Sequence, residues 1–371
     1  MRSSEVVVVG GGVIGASVAF HLAREGIEVA LLERDALASG ASGAAAGMLT
    51  PTSEASDAGP FYRWALRSLA GFESLAAELL ERSGVDCELV RCGTLRLAFD
   101  EADVARLRER AAGFPDAGLE WLDAAALRGV EPRAADAAVG GVFAPGEAHV
   151  RSPLLARAYA SAARRLGARI ETGVEVTGLR VSGDRVAAVE TGDGPWSTPR
   201  VVVCAGAWSA TGGLWPAGLA PLPVVPVRGQ ILSVEAPTPT LATTLLGEGG
   251  YVVPKYDGSL VVGATEEHVG FDARVTGQGL RQVLEIGMRL VPAVADCTFR
   301  SAWAGLRPAS PDGLPIIGPI EAVEGLAVAT GHHRNGVLLS PVTGEIVADW
   351  VAGKGTPADA APFLPRRFTD A

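Results

Sequence analysis

Residues Ser4 to Arg34 read SEVVVVGGGVIGASVAFHLAREGIEVALLER, and this stretch limits the fold more than any other. Val6 to Val9 form an unbroken β-branched run, the signature of a strand buried on both faces of a parallel sheet. Gly10, Gly12 and Gly15 follow in G-x-G-x-x-G spacing. Apolar residues then recur at helical spacing from Val13 to Arg24, Gly26 stops the helix, and EVALLE makes a second strand ending at Glu33. In such a βαβ unit the first glycine allows a tight turn and the second lets backbone approach a pyrophosphate. The third brings helix and strand together, and the helix start offers free N–H groups to the anion. Glu33 is placed to accept hydrogen bonds from ribose hydroxyls. The unit predicts a bound dinucleotide, without choosing between FAD and NAD.

The rest of the chain alternates between two textures. RDALASGASGAAAGMLTPTSEAS carries almost no side-chain volume between Ser39 and Gly47, so backbone there can lie against something flat. A long amphipathic helix is expected over FYRWALRSLAGFESLAAELLERSG, with further helices from about Glu101 to Ala112 and from Asp123. At SPLLARAYASAARRLGARIETGVEV the helix–strand rhythm resumes, with Ser152 read as the cap and Pro153 as the first helical residue. From about Pro221 to Arg300 long alternating strands dominate, including a hairpin around Asp257–Gly258, and one helix near Gly279 to Leu290 interrupts them. GLAVATGHHRNGVLLSPVTGEIVADWVAG returns to strand, loop and helix, with Ser340 read as cap and Pro341 as first helical residue.

With 371 residues the chain can bury one large or two ordinary cores. A formal net charge of −10 argues against nucleic acid and against an anionic membrane surface as partners. Cys87, Cys92, Cys204 and Cys297 show neither a CxxC pair nor metal-ligand spacing, which predicts reduced thiols, no metal and a cytoplasmic protein. No stretch is long and apolar enough to span a bilayer.

Six stretches in a fixed order carry a family resemblance: VVGGGVIGASVAFHLAREG, SGAAAGML, SGVDCELVRCGTLRLAF, GYVVPKYDGSLVVGAT, WAGLRPASPDGLPIIG and GHHRNGVLLSPVTG. Together they resemble the flavin-dependent amine oxidases of the D-amino acid oxidase family, and within it the bacterial glycine oxidases. The resemblance implies an α/β fold in which a mixed, largely antiparallel substrate domain is inserted into a Rossmann-type FAD domain. It divides the chain into FAD-binding segments 1–85, 148–220 and 301–371 and substrate-binding segments 86–147 and 221–300. It implies oxidation of glycine and other small amines, such as sarcosine and small D-amino acids, with oxygen reduced to hydrogen peroxide. Covalently flavinylated members carry a cysteine near the WAGLRP motif; this chain has none there, so its FAD is expected to be non-covalent. A homo-oligomer is left open.

Removing hydride from the Cα of an amino acid requires a carboxylate anchor and an aligned cofactor rather than a catalytic dyad. Arg307 is the first candidate anchor, because a guanidinium fork matches a carboxylate. The resemblance adds Tyr251 as a hydroxyl donor to the same carboxylate and Arg334 as a second arginine. For the cofactor it implies Gly10, Gly12, Val13, Ile14, Gly15, Glu33 and Arg34 at the nucleotide end. Ser42 and Gly43 fall near the pyrophosphate, and Ala45, Ala46, Gly47 and Met48 along the flavin ring. Val176, Ala205, Gly206 and Trp208 come from the middle of the chain, and Arg307, His333, Arg334, Asn335, Gly336, Val337 and Leu338 from its end. Two departures fall near the expected pocket: Gly249, two residues before Tyr251 on the same strand face, stands where relatives carry histidine, and Glu266 where they carry methionine. Two other functions remain compatible with the sequence, a D-amino acid dehydrogenase that reduces quinone and a flavin-binding protein without turnover.

Overall fold

The computed structural model describes residues 2–236, 240–355 and 357–368. A six-stranded sheet runs in the order Ile316–Pro319, Leu326–Thr330, Val201–Val203, Val6–Val9, Val29–Glu33, Arg169–Thr172. All its pairings are parallel except that between the first two strands. The valine run explains how this sheet is covered on both faces. Val6 and Val8 point into a core shared with the helices Val13–Arg24, Ser152–Arg165 and Gly336–Val351. Val7 and Val9 point the opposite way, onto Val176, Val189, Trp196 and Trp215. Several of those residues belong to a four-stranded sheet formed by Arg2–Ser3, Trp196–Ser197, Arg185–Thr191 and Val176–Ser182. A strand that buries both faces cannot alternate apolar with polar, which is why the sequence reads VVVV.

The second large sheet has eight strands: Phe299–Ala309, Val225–Glu235, Ser259–Gly263, Gly250–Pro254, Thr244–Gly247, Thr94–Ala98, Gly140–Ala144, Glu120–Asp123. Its pairings are antiparallel apart from that of Thr244–Gly247 with Thr94–Ala98. One face takes the helix Gly277–Leu290 through Leu232, Val252, Leu260, Val262 and Val283. The alternate residues Ile231, Tyr251, Val253 and Val261 face Ala46, with Met48 and Trp303 packed alongside. The two-residue period of this sheet therefore presents Tyr251 to the small-residue tract. Strand Phe299–Ala309 pairs within this sheet, and Trp303 Nε1 donates to the Ala44 carbonyl at 3.0 Å, so the strand bridges sheet and tract.

Two expected caps are displaced. The helix read from Ser152 is capped by Arg151, and Ser152 Oγ donates instead to the Ser42 carbonyl at 2.6 Å. The final helix starts at Gly336 with Asn335 as its cap, so Ser340 and Pro341 lie inside it. Proline lacks the N–H that would bond the carbonyl four residues back, that of Val337. Ser340 Oγ donates to that carbonyl at 2.9 Å, so the missing bond is replaced locally and the helix continues.

Candidate active site

A groove of about 440 Å³ opens at the ends of strands Val6–Val9 and Val201–Val203, where the sheet order places a ligand crevice. Gly10 adopts φ +109°, and a Cβ there would lie 2.5 Å from the Cys204 carbonyl oxygen. Gly12 is the extended cap of the first long helix. The Glu33 carboxylate accepts from Gly11 N at 2.6 Å and Asp35 N at 2.8 Å, which ties the acid to the glycine turn. Arg34 stacks on the Trp208 ring with its guanidinium carbon 4.2 Å from the ring centroid.

The groove is lined by Gly10, Gly12, Val13, Ile14, Glu33, Arg34, Ser42, Ala45, Val176, Ala205, Gly206 and Trp208, together with His333, Arg334, Gly336 and Val337. Gly15, Gly43 and Leu338 lie outside it. Gly15 packs against the Gly10 carbonyl and Gly43 against the Ala38 carbonyl, each so closely that a side chain would not fit. Leu338 is buried in the helical core. Ser42 Oγ accepts from Val13 N at 2.9 Å, so the serine caps the helix start as well as lining the groove.

A second, smaller cavity of about 80 Å³ adjoins the groove and shares Ala45, His333, Arg334 and Val337 with it. Ala46, Gly47, Met48, Tyr251, Arg307 and Asn335 complete the sequence-predicted residues found here. Burial lowers the pKa of Arg307, with the Tyr251 phenol partly opposing that shift. Its Nη1 donates to the Thr265 carbonyl at 3.0 Å, and it forms no ion pair with a carboxylate of the described residues. Burial raises the pKa of Tyr251, while Arg307 and Arg334 pull it down. The Tyr251 hydroxyl is thus a neutral donor beside a cation.

Neither histidine of the HHRNG loop is charged near neutral pH. Burial pushes His332 down to about 3, and its Nε2 lies 3.1 Å from Thr343 Oγ1, a structural contact. Burial, reinforced by Arg307, pushes His333 down to about 4. His333 Nε2 and Asn335 Oδ1 are buried without a partner among the described residues. Both residues line the small cavity, and His333 reaches the groove as well.

Gly249 departs from its expected place. It adopts φ +81° in the turn between Gly247 and Gly250, and lines neither cavity. The two-residue period that links it to Tyr251 fails because the strand begins only at Gly250. Glu266 is exposed and lines neither cavity, although its charge acts on Arg307 and His333.

Three contributors escaped sequence reasoning. Gly229 lines the small cavity, and a Cβ there would collide with the Arg307 guanidinium. Glu54 lines it too and pairs with Arg334, its Oε1 3.5 Å from Nη2. Its one sequence signal is position, as the first charged side chain after Asp35. Lys255 is buried, and its Nζ donates to the carbonyls of Ala46 at 2.5 Å and Val150 at 3.1 Å.

The residues present fit FAD. Gly10 and Gly12 of the glycine turn line the groove, and the helix that begins at Val13 starts there, so its positive end favours a phosphate. The helix Gly336–Val351 also begins at the junction of the two cavities, where its positive end would favour an anionic ring. The unpartnered His333 Nε2 and Asn335 Oδ1 leave two buried polar atoms at this junction that a ring with its own donors and acceptors would satisfy.

Comparison with known proteins agrees. The family model described as FAD dependent oxidoreductase matches residues 5–350. A glycine oxidase of Geobacillus kaustophilus is 41% identical over 366 residues, covering 97% of this chain and 96% of that protein. The crystal structure of glycine oxidase from Geobacillus kaustophilus superposes with a TM-score of 0.93 at 40% identity, covering 98% of each chain. That of an iminodiacetate oxidase from Chelativorans sp. superposes with a TM-score of 0.87 at 31% identity, covering 97% of this chain and 98% of that one. The chain belongs to the FAD-dependent oxidoreductases of the D-amino acid oxidase family.

Proposed function

We propose that this FAD-dependent enzyme oxidises glycine and other small amines with one carboxylate, such as sarcosine and small D-amino acids. The observation that carries the reading is Arg307: a half-buried guanidinium without a carboxylate partner among the described residues, in a cavity shared with the Tyr251 hydroxyl and joined to the cofactor groove. A desolvated arginine fork and a phenol donor suit one substrate carboxylate. With the carboxylate fixed there, the small cavity limits where Cα can lie. FAD, when bound, supplies the two-electron oxidation. The amino acid loses hydride from Cα and a proton from nitrogen, giving the imine. Water then converts the imine to the 2-oxo acid and ammonia, or the corresponding amine. Oxygen takes up the two electrons and two protons as hydrogen peroxide. His332 and His333, both neutral, require no part in the proton accounting.

We also infer that segments 1–85, 148–220 and 301–371 hold FAD and segments 86–147 and 221–300 hold substrate, with strand Phe299–Ala309 shared between them. FAD binds without a covalent link on this reading, which is supported by the thiol chemistry. Cys204 lines the groove, but burial raises its pKa far above the usual thiol range and keeps it from being a thiolate. The test is anaerobic mixing of the yellow protein with glycine, sarcosine and D-alanine, followed by admission of oxygen. Bleaching of the flavin band by at least one of them, with peroxide formed on reoxidation, is the expected result. No bleaching by any of the three overturns the reading.

A further inference from the structure

Glu54 is an acid built into the cavity wall. It ends the short helix Pro51–Glu54, and the backbone around it is clamped from behind. Arg110 Nη2 donates to the Thr52 carbonyl at 2.7 Å and the Ala55 carbonyl at 2.8 Å. Thr52 donates through N at 3.0 Å and Oγ1 at 2.7 Å to Glu147 Oε1, and Thr94 Oγ1 donates to the other oxygen of the same buried carboxylate. This network fixes Glu54 from both sides in sequence. Its side chain is 12% exposed, against 43% for its partner Arg334. The outer arginine of the cavity is therefore held by an inner acid, while the deeper Arg307 has no acid partner among the described residues.

We propose that Glu54 is a specificity-determining residue that restricts the site to amines bearing a single carboxylate. The inference rests on the amine-oxidising reading above and adds the residue that sets its substrate class. Once Arg307 holds the first carboxylate, the remaining cation on the cavity wall among the described residues is Arg334. With Arg334 Nη2 paired to Glu54 at 3.5 Å, a second anionic group on the substrate meets a guanidinium whose charge is already partly neutralised, and beside it a fixed carboxylate of its own sign. Rejection of this kind depends on a repulsive element as much as on the missing attraction. Without the Glu54 charge, Arg334 is released to receive the second carboxylate.

The experiment compares wild type, Glu54→Gln and Glu54→Gln/Arg334→Ala as FAD-loaded proteins, by titrating acetate and malonate against the flavin absorbance bands. These ligands present one and two carboxylates and do not turn over, so the result does not depend on oxidation of any amine. The ratio of the acetate Kd to the malonate Kd is expected to rise about tenfold in Glu54→Gln and to return to the wild-type value in the double variant. In turnover, kcat/KM for iminodiacetate should rise by about the same factor, through KM. Should Glu54→Gln fail to load FAD, Glu54→Ala carries the same expectation. A ratio that stays at the wild-type value, or a gain that persists without Arg334, overturns the proposal. Failure of wild type to oxidise any amine would instead overturn the functional reading, and the carboxylate titration would still decide the role of Glu54.

Discussion

Arg307 lies across Gly229. The two residues sit on neighbouring antiparallel strands, with Arg307 opposite Val227 and Gly229 opposite Gly305. An ideal Cβ on Gly229 would lie 2.5 Å from the guanidinium carbon of Arg307. The glycine thus makes the bed on which the half-buried guanidinium rests. Gly229→Ala forces the guanidinium out of that bed; the flexible end of the side chain gives way at little cost to stability, but the carboxylate contact it leaves unmade is worth about 1–3 kcal/mol. The expected outcome is a fall in kcat/KM for glycine of about 5- to 150-fold, carried by KM, with FAD content retained. Unchanged kinetics would show that the guanidinium has a second place to rest.

Replacing Arg307 itself tests the anchor directly. Truncating one partner of a buried charge pair costs about 2–5 kcal/mol, or about thirty- to several-thousand-fold in kcat/KM. Arg307→Ala should lose activity on that scale while keeping its flavin. Arg307→Lys should recover little, because an ammonium cannot present the planar fork. An amine without a carboxylate should lose much less than glycine. Near-normal kcat/KM for glycine in a flavin-loaded Arg307→Ala would move the anchor to Arg334.

The fold was legible wherever chain-local rules apply. The valine run, the spaced glycines and the change to alternating strands are each settled by neighbours a few residues away, and they placed both large sheets. The caps at Ser152 and Ser340 misled because each serine hydroxyl found a tertiary or intrahelical carbonyl instead of the helix start. Gly249 misled for a related reason: a two-residue period assumes a strand, and the chain is turning there. The residues missed were those whose role exists only across the fold. Gly229 matters because of a side chain 78 positions away on the next strand, and Glu54 because of one 280 positions away. Nothing near either residue in sequence carries that information.

The placement of Gly249 makes an expectation of its own. With φ +81° it occupies the left-handed region, where an L-residue costs about 1–2 kcal/mol. Its nearest neighbour across the fold would be Ile286 Cδ1, 3.9 Å from an added Cβ, so strain and not a clash is the penalty. Gly249→Ala should therefore lower thermal stability by about that amount and leave KM for glycine unchanged. A raised KM with unaltered stability would return this position to the pocket.

Lys255 gives the clearest dependence on pH. Its Nζ braces the Ala46 carbonyl, on the tract facing the cavity, against the Val150 carbonyl. Burial pushes its pKa down to about 7 from an ordinary 10.5, with Arg151 adding to the shift and Glu88, Cys92 and Asp257 opposing it. His149, beside it, is pushed down to about 3 and stays neutral across this range. Between pH 7 and 10.5 the unfolded chain keeps a proton on this lysine that the native state lacks. Stability therefore rises with pH through that window, by at most about 1.4 kcal/mol per unit. Below about pH 7 both states are protonated, and the contribution levels off at its least favourable value. Lys255→Met keeps the length and loses the proton, while groups titrating alike in both proteins cancel in the difference. The Tm of wild type minus that of Lys255→Met should therefore grow more positive from about pH 7 to about pH 9. A difference that is flat or falls over this range would mean that the native lysine stays charged, its two carbonyl hydrogen bonds compensating for its burial.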